Sequence, residues 1–276
     1  MRYNKWMVLY CCALLSTSCA KKSLQSASST SAVAGTEEVR VLSYNIHHAN
    51  PPSRPDYIDL AAIANVIKQQ QPDIVALQEI DVNTERSGKT VDEAKELARL
   101  TGMQSYFSKG IDYQGGEYGI AVLSRFPMEG MKRIPLPTDE ATKGEPRTLG
   151  TAIIKLPKGH KIVFAFTHLD AQRDATNRLL QIRKITEVLQ SEQLPVIIAG
   201  DFNAVPGSDV INILDNNFTR TCITGCGFTI PVESPNKTID FIAYKPSAKF
   251  TVIEHKVINE KYASDHLPVL AVLKIK

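Results

Sequence analysis

The sequence predicts an α/β fold of four layers, an α/β/β/α sandwich in which two mixed sheets pack together with helices on their outer faces. Three observations support this prediction. Strand and helix patterns alternate from Glu38 onward, the middle of the chain is rich in short strands joined by Pro/Gly turns, and no Gly-rich loop of the Rossmann type is present. With 276 residues, 43% of them apolar, the chain can form one large α/β domain.

The N-terminus has the pattern of a targeting segment. Arg2 and Lys5 precede an apolar stretch, Trp6 to Leu15, that is too short to span a bilayer and is followed by small residues and Cys19. Residues 1–19 therefore predict a bacterial lipoprotein-type signal, and an ordinary secretory signal is the alternative. We expect export and a lipid anchor at Cys19 that holds the chain to the cell envelope, on its periplasmic or outer face.

Residues 20–37 are rich in Ser and Ala and predict a flexible tether, so the folded domain is expected at 38–276. The net charge of +3 gives no global basic excess, which argues against nonspecific nucleic-acid affinity. Cys222 and Cys226 are close enough in sequence to form a disulfide in an oxidising compartment, and two free thiols are equally compatible.

Apolar periodicity predicts the elements of the first half of the domain in order. They are a strand over 39–46, a helix over 57–70, a short buried strand over 74–77 that runs into Gln78 and Glu79, and a helix over 91–100.

The second half of the domain is also predicted to consist of strands and helices, with a hairpin tip at Lys158-Gly159. Strands are expected over 119–124, 132–136, 148–156, 161–167, 195–199, 238–244, 250–257 and 267–275, and helices over 173–189 and 208–214.

Polar residues stand at the ends of two buried strands that are far apart in sequence. Asp201 and Asn203 follow the apolar run that ends at Ala199, and Asp265 and His266 precede the final apolar strand. Side chains of these types, converging at strand ends, can bind a hard cation, orient a water molecule and hold a phosphate. The pattern indicates metal-assisted hydrolysis rather than a binding module.

Glu79 ends an apolar strand, and a carboxylate there must be solvated, paired or bound to metal. A surface-capping role is as compatible as a ligand role. Asn45 and Asp265 also end strands, so the three side chains can converge only if their strands are neighbours.

Further candidates each have a simpler interpretation. Asp240 is a charge inside an apolar strand and needs a partner, for which His266 is the candidate. Arg147 can fork onto a phosphate or pair with Glu145. His168 at a strand end is an ordinary structural position.

Arg178 is a second candidate for binding substrate. It shares a face of the long predicted helix with Gln181, and the simpler expectation for that face is solvation.

Together these residues resemble the endonuclease/exonuclease/phosphatase superfamily, whose fold is that of deoxyribonuclease I, and in particular its secreted bacterial branch. The resemblance covers about residues 38 to 276 and rests on motifs in the family's order. These are Ser43-Tyr44-Asn45, Leu77-Gln78-Glu79, Tyr118-Gly119 through Pro127, Thr167-His168-Leu169, Gly200-Asp201-Phe202-Asn203, Ile239-Asp240-Phe241-Ile242 and Ser264-Asp265-His266-Leu267-Pro268-Val269.

The resemblance implies a metal site and a phosphate site. Glu79 would be the principal ligand of Mg²⁺ or Mn²⁺, completed or flanked by Asn45 and Asp265. Asp201 would orient the attacking water, and Asn203 would hold a phosphate oxygen.

The same resemblance implies that His266, paired with Asp240, contacts the scissile phosphate. His168 would be the second histidine, which serves as an acid or a phosphate donor and is lacking in abasic-site endonucleases. Tyr118 would also be aimed at the phosphate. Ile120 stands where many relatives have Asn, and the Cys-Asp-Arg signature of inositol 5-phosphatases is absent.

The expected function is therefore metal-dependent hydrolysis of a phosphoric ester, most simply a phosphodiester, by a monomer. A phosphomonoesterase acting on a soluble phosphorylated metabolite is the first alternative, and an anchored binding protein without turnover is the second. Nucleic acid, a lipid headgroup and a sugar phosphate all remain candidate substrates.

Overall fold

A computed structural model describes residues 35–276, which form two six-stranded sheets and four α-helices. The predicted signal at 1–19, its Cys19 and most of the tether lie outside the described residues. The helices are α1 Leu60–Gln70, α2 Glu93–Thr101, α3 Thr176–Gln190 and α4 Asp209–Asn217.

Ten of the twelve strands of residues 35–276 overlap predicted strands. The strands are β1 Glu37–Asn45, β2 Ile74–Val82, β3 Gln104–Tyr113, β4 Gly116–Ser124, β5 Met128–Pro135, β6 Thr148–Lys155, β7 Lys161–His168, β8 Val196–Asp201, β9 Thr219–Arg220, β10 Asp240–Lys245, β11 Phe250–Val257 and β12 Val269–Ile275.

Each sheet has a central parallel pair with antiparallel neighbours. The first sheet has the order β11-β12-β1-β2-β4-β3, and β1 and β2 are its parallel pair. The second has the order β5-β6-β7-β8-β10-β9, and β7 and β8 are parallel. The sheets are therefore mixed, as predicted.

Three apolar clusters separate four layers. The cluster between the sheets is formed by residues such as Val41 and Ala76 of one sheet and Phe164 and Ile197 of the other. A second cluster packs α1 and α2 on the outer face of the first sheet, and a third packs α3 and α4 on the second. This arrangement confirms the α/β/β/α sandwich and follows from strands that are apolar on both faces.

Strand β3 was not predicted. Its sequence, QSYFSKGIDY, has few apolar residues, and only Ser108 in it is buried. It lies at the edge of the first sheet, where one side of a strand needs no neighbour and the alternation of apolar side chains is weak. Helix α1 begins later than predicted because the Asp59 carboxylate accepts a hydrogen bond from the Ala62 amide and caps it there.

The Cys222–Cys226 pair, for which two states were open, is a disulfide that closes a short surface loop after β9. Among residues 35–276, no helix combines the length and apolar character that crossing a membrane requires.

Candidate active site

Strand pairing brings the polar strand ends of both sheets to one edge of the sandwich. In the first sheet, Asn45 at the end of β1 lies opposite Gln78 of the parallel strand β2. In the second, Asp201 at the end of β8 lies between His168 of β7 and Asp240 of β10. These neighbours are therefore fixed by rigid sheet backbone rather than by loops.

Glu79 does not end its strand, contrary to the prediction. It sits at a bulge within β2, between Gln78, which pairs with Ile120, and Ile80, which pairs with Gly119. Its φ of 59° is in the left-handed region, which is costly for a residue with a side chain. A bulge redirects one side chain out of the strand's alternation, and here it turns Glu79 toward Asn45.

Asn45 joins the two sheets at this edge. Its side-chain amide donates to Glu79 Oε1 over 2.9 Å and to Asp201 Oδ2 over 3.2 Å. The side-chain oxygen of Asn45, Oδ1, accepts a hydrogen bond from the His47 amide over 3.1 Å, which fixes the orientation of the side chain. Glu79 and Asp201, 122 residues apart in the sequence, therefore share one hydrogen-bonded group.

Asp201 is the centre of the cluster and is 1% exposed. Its Oδ2 lies 3.6 Å from His168 Nε2 and 3.8 Å from His266 Nε2, and its Oδ1 accepts from the Asn203 amide over 2.8 Å. The Asn203 side chain donates to the Leu169 carbonyl over 2.9 Å. The backbone of Asn203 has a φ of 48°, and Asx residues tolerate this conformation best.

The predicted pairing of His266 with Asp240 is confirmed. His266 Nδ1 lies 3.0 Å from Asp240 Oδ2, and both side chains are buried. The carboxylate must accept this bond, so Nδ1 carries a proton and Nε2 is the atom that faces Asp201.

His168 is paired with a cation, whereas His266 is paired with a carboxylate. Arg147 Nη1 lies 3.1 Å from His168 Nδ1, and a guanidinium can only donate. Nδ1 is therefore the acceptor, and a neutral ring carries its proton on Nε2, toward Asp201. Arg147 also pairs with Glu145 over 3.1 Å, one of its two predicted roles.

These contacts move the pKa values of the two rings apart. Burial lowers the pKa of His266, but Asp240 and Asp201 more than compensate and raise it to about 10. Burial and the Arg147 charge lower the pKa of His168 well below its usual value. One histidine is therefore cationic at neutral pH and the other is neutral.

The two carboxylates also differ in pKa. Burial acts to raise the pKa of Glu79, but its close neighbours His48 and Asn45 and the positive charge of His266 lower it below its usual range. Burial and the adjacent charge of Asp240 raise the pKa of Asp201 to about 7. Glu79 is therefore firmly ionised, whereas Asp201 has the proton affinity of a base that can act near neutral pH.

Tyr118 lies with Arg147 and His168 around a small cleft at the same edge. Burial and the charge of Glu79 raise the pKa of Tyr118 well above its usual value, so its hydroxyl keeps its proton. Asp265 is partly exposed, and its neighbour Ser264 donates to the Asn45 carbonyl over 2.7 Å. The Asp265 segment is thereby attached to the end of β1.

Arg178 lies farther along, on α3, and the expectation of a solvated face is wrong. Arg178 and Gln181 are both buried. The Arg178 guanidinium donates to the carbonyls of Asp170 over 2.9 Å, of Gln172, and of Arg173 over 3.4 Å, so it holds the loop that follows His168. Gln181 accepts from the Asp170 amide over 2.9 Å in the same loop.

His48 was given no role from sequence, yet its Nδ1 lies 4.0 Å from Glu79 Oε2. The chain turns sharply after β1, where His47, His48 and Ala49 all have positive φ. The available signal was position in the sequence, because the two histidines lie only two and three residues after Asn45, a candidate ligand.

Known proteins resemble this chain in sequence and in fold. Residues 42–266 match the model of the endonuclease/exonuclease/phosphatase family. The chain is 28% identical over 246 residues to YbhP of Escherichia coli, an uncharacterized protein, covering 84% of this chain and 94% of that one.

Solved structures share the fold. An endonuclease/exonuclease/phosphatase from Beutenbergia cavernae superposes with a TM-score of 0.74 at 25% identity, covering 86% of this chain and 72% of the other. The mannosyl-6-phosphatase Bt3783 of Bacteroides thetaiotaomicron gives 0.68 at 20% identity, covering 85% and 99%. The family match spans most of the chain, and the chain therefore belongs to the endonuclease/exonuclease/phosphatase family.

Proposed function

We propose that the chain is a metal-dependent hydrolase of phosphoric esters, acting on a phosphodiester. The observation that carries the proposal is the position of Asp201. It is a buried carboxylate with a raised pKa, surrounded by Asn45, Asn203, His168 and His266. A base surrounded by hydrogen-bond donors suits the attack of water on an anionic, tetrahedral phosphorus centre.

The residues present fit a hard divalent cation. Glu79 is ionised and turned into the site by a strained bulge, and Asn45 contacts it directly. Oxygen donors of this kind suit Mg²⁺ or Mn²⁺, and Glu79, Asn45 and Asp265 would hold the ion. When bound, the ion would shield the charge that develops on the phosphate.

Asp201, Asp240 and His266 also lie close enough together to resemble a metal cluster. His266 binds Asp240 through Nδ1, and the Asp240 and Asp201 charges raise its pKa against the effect of burial, so its ring is a cation that can stabilise negative charge. We therefore assign this group to charge stabilisation and proton transfer.

The chain's own residues account for the remaining steps. Asp201 orients the attacking water and takes its proton as the new P–O bond forms, and Asn203 holds a phosphate oxygen. The His266 imidazolium presents Nε2–H to the phosphate and gives this proton to the leaving-group oxygen as its P–O bond breaks. His168, neutral, donates Nε2–H to another phosphate oxygen while Arg147 occupies its Nδ1. Tyr118 adds a hydroxyl donor beside His168.

The test of the proposal is release of p-nitrophenol from bis-p-nitrophenyl phosphate, with Mg²⁺ or Mn²⁺ and with excess EDTA. We expect turnover that requires the metal. Glu79→Gln removes the charge that holds the ion, so it should lower the rate and weaken the affinity for metal together. Full activity in excess EDTA would contradict the proposal.

A phosphomonoesterase is the second candidate, and the similarity in fold to the mannosyl-6-phosphatase favours it. p-Nitrophenyl phosphate, assayed in parallel, separates the two. Faster turnover of the monoester would select this candidate, and turnover of neither ester would support a binding protein that has lost catalysis.

We further propose that the chain is exported and anchored through a diacylated Cys19, since two acyl chains give stable membrane attachment. The basis is the sequence around Cys19 alone. Wild type should incorporate labelled fatty acid and fractionate with membranes, and Cys19→Ala should lose both properties. A Cys19→Ala chain that stays membrane-bound would contradict the anchor.

A further inference from the structure

A cavity of about 540 Å³ opens directly beside the candidate active site. It lies between the start of α3, the loop that follows β8, and the segment 230–239. Asn203, the proposed phosphate ligand, is part of its wall, so the cavity adjoins the place where the scissile phosphate would sit. Its volume is typical of a pocket for one small molecule.

The charged residues of the wall are all positive. Arg173, Arg178 and Lys237 line the cavity, and no aspartate or glutamate of residues 35–276 does. Arg173 and Lys237 are exposed at the rim, whereas Arg178 is inside. The rest of the wall is mostly apolar and includes Ala204, Val205, Val210, Ile230 and Ile239.

Arg178 supplies a separate observation. Its side chain is 8% exposed, and although Nη1 and Nη2 donate to three carbonyls, Nε has no hydrogen-bond partner among the described residues. A buried, charged donor without an acceptor is costly. An anionic group in the cavity would supply an acceptor beside this guanidinium.

The backbone adds positive potential. Ala175 and Ser208, the N-cap residues of α3 and α4, both line the cavity, so two helices begin at its wall. Helix N-termini favour anions. Asp174 is not part of the wall, and its carboxylate accepts from the Thr176 amide.

The backbone of Lys237 is held in position by two hydrogen bonds. Its amide donates to the Ile230 carbonyl over 3.0 Å, and its carbonyl accepts from the Thr229 amide over 2.7 Å. The cation at the rim therefore stands on an ordered turn rather than on a free loop, as a binding subsite requires.

We propose that this cavity binds a second phosphate group of the substrate, and that the substrate is a small phosphodiester that carries a further phosphate on a compact carbon skeleton. The inference rests on the proposed function, because the cavity is placed next to the scissile phosphate only if Asn203 binds that phosphate. The skeleton would pack on the apolar wall, and the second phosphate would bind Arg173, Arg178 and Lys237. The bounded volume favours a small molecule over a polymer.

The experiment compares two inhibitors that differ by one phosphate. Fructose 6-phosphate and fructose 1,6-bisphosphate compete with bis-p-nitrophenyl phosphate for the full-length protein at constant free Mg²⁺. We expect the bisphosphate to have a lower inhibition constant by at least about tenfold, as for one added charge-assisted contact. Equal constants would overturn the proposal.

Variants locate the effect. Arg173→Ala combined with Lys237→Ala should remove most of the tenfold preference, and Lys184→Ala should keep it. Lys184 is a suitable control because it lies on α3, paired with Glu187 over 2.9 Å and away from the cavity. A double variant that keeps the preference would overturn the assignment of these residues.

Calorimetric titration of both sugar phosphates separates this proposal from the proposed function. If bis-p-nitrophenyl phosphate is not hydrolysed but the bisphosphate binds more tightly and the double variant loses this difference, the subsite stands and the hydrolase proposal fails. If hydrolysis occurs without a preference for the bisphosphate, the subsite fails alone. A short single-stranded oligonucleotide that competes better than the bisphosphate would overturn the small-molecule assignment.

Discussion

His266 and His168 lie on opposite sides of the same carboxylate, yet their surroundings give them opposite charge. Their Nε2 atoms are 3.8 Å and 3.6 Å from Asp201 Oδ2. Asp240 occupies Nδ1 of the first ring and Arg147 occupies Nδ1 of the second. The identity of the residue thus predicts little about its role, and the partner on the far nitrogen decides whether the ring is a cation or a neutral donor.

Two histidines of opposite charge allow one site to treat several phosphate oxygens differently. The His266 imidazolium offers charge and a proton, whereas His168 offers a hydrogen bond without charge. A second cation beside Asp201 would oppose its function as a base by lowering its pKa. Burial and the Arg147 charge prevent this, because both favour the neutral form of His168.

The largest expected effect comes from breaking the His266–Asp240 side. His266→Ala and Asp240→Ala should each lower kcat on the order of 10²–10⁴, as for a positioned proton-transfer group. Because the carboxylate acts through the ring, the double variant should be little worse than either single one. Turnover of bis-p-nitrophenyl phosphate measures all three, and costs that simply multiply would show two independent roles.

His160→Ala is the matched control for these substitutions. Its ring forms a hydrogen bond with the Gly35 carbonyl over 3.1 Å at the surface and is not part of the candidate active site, so activity should be unchanged.

A smaller effect is expected on the His168 side. His168→Ala should cost on the order of 10²–10³ in kcat, as for one lost donor to a developing charge. His168→Gln keeps an N–H donor, so it should recover roughly tenfold of that loss. His266→Gln cannot supply a charge and should show no recovery. If His168→Gln is as slow as His168→Ala, His168 acts through proton transfer and the contrast between the rings is lost.

Of the two histidine contacts in the site, one could be predicted from the sequence and the other was not. The His266–Asp240 pair could be inferred because a charge in an apolar strand needs a partner. The Arg147–His168 contact was missed. The observed register of Leu149 opposite Thr167 continues to Thr148 opposite His168, so Arg147 lies one residue from the position opposite His168. Counting from the predicted hairpin tip at Lys158-Gly159 does not give this register.

Other features had no local signal. The layers followed from apolar patterns, but the bulge at Glu79 depends on the pairing of β2 with β4, which a single strand does not encode. Edge strand β3 lacks the apolar alternation on which strand prediction rests. The meeting of Glu79 with Asp201 depends on packing one sheet against the other, so the sequence motifs indicated it only through their resemblance to a family.

The most direct test of the two-histidine account is a measurement of the imidazole nitrogen resonances of His168 and His266 by NMR at about pH 7. The account predicts that both nitrogens of His266 carry protons, and that His168 is neutral with its proton on Nε2. Assignment would come from loss of each signal set in His168→Gln and His266→Gln. A neutral His266, or a His168 that is charged or carries its proton on Nδ1, would contradict the account.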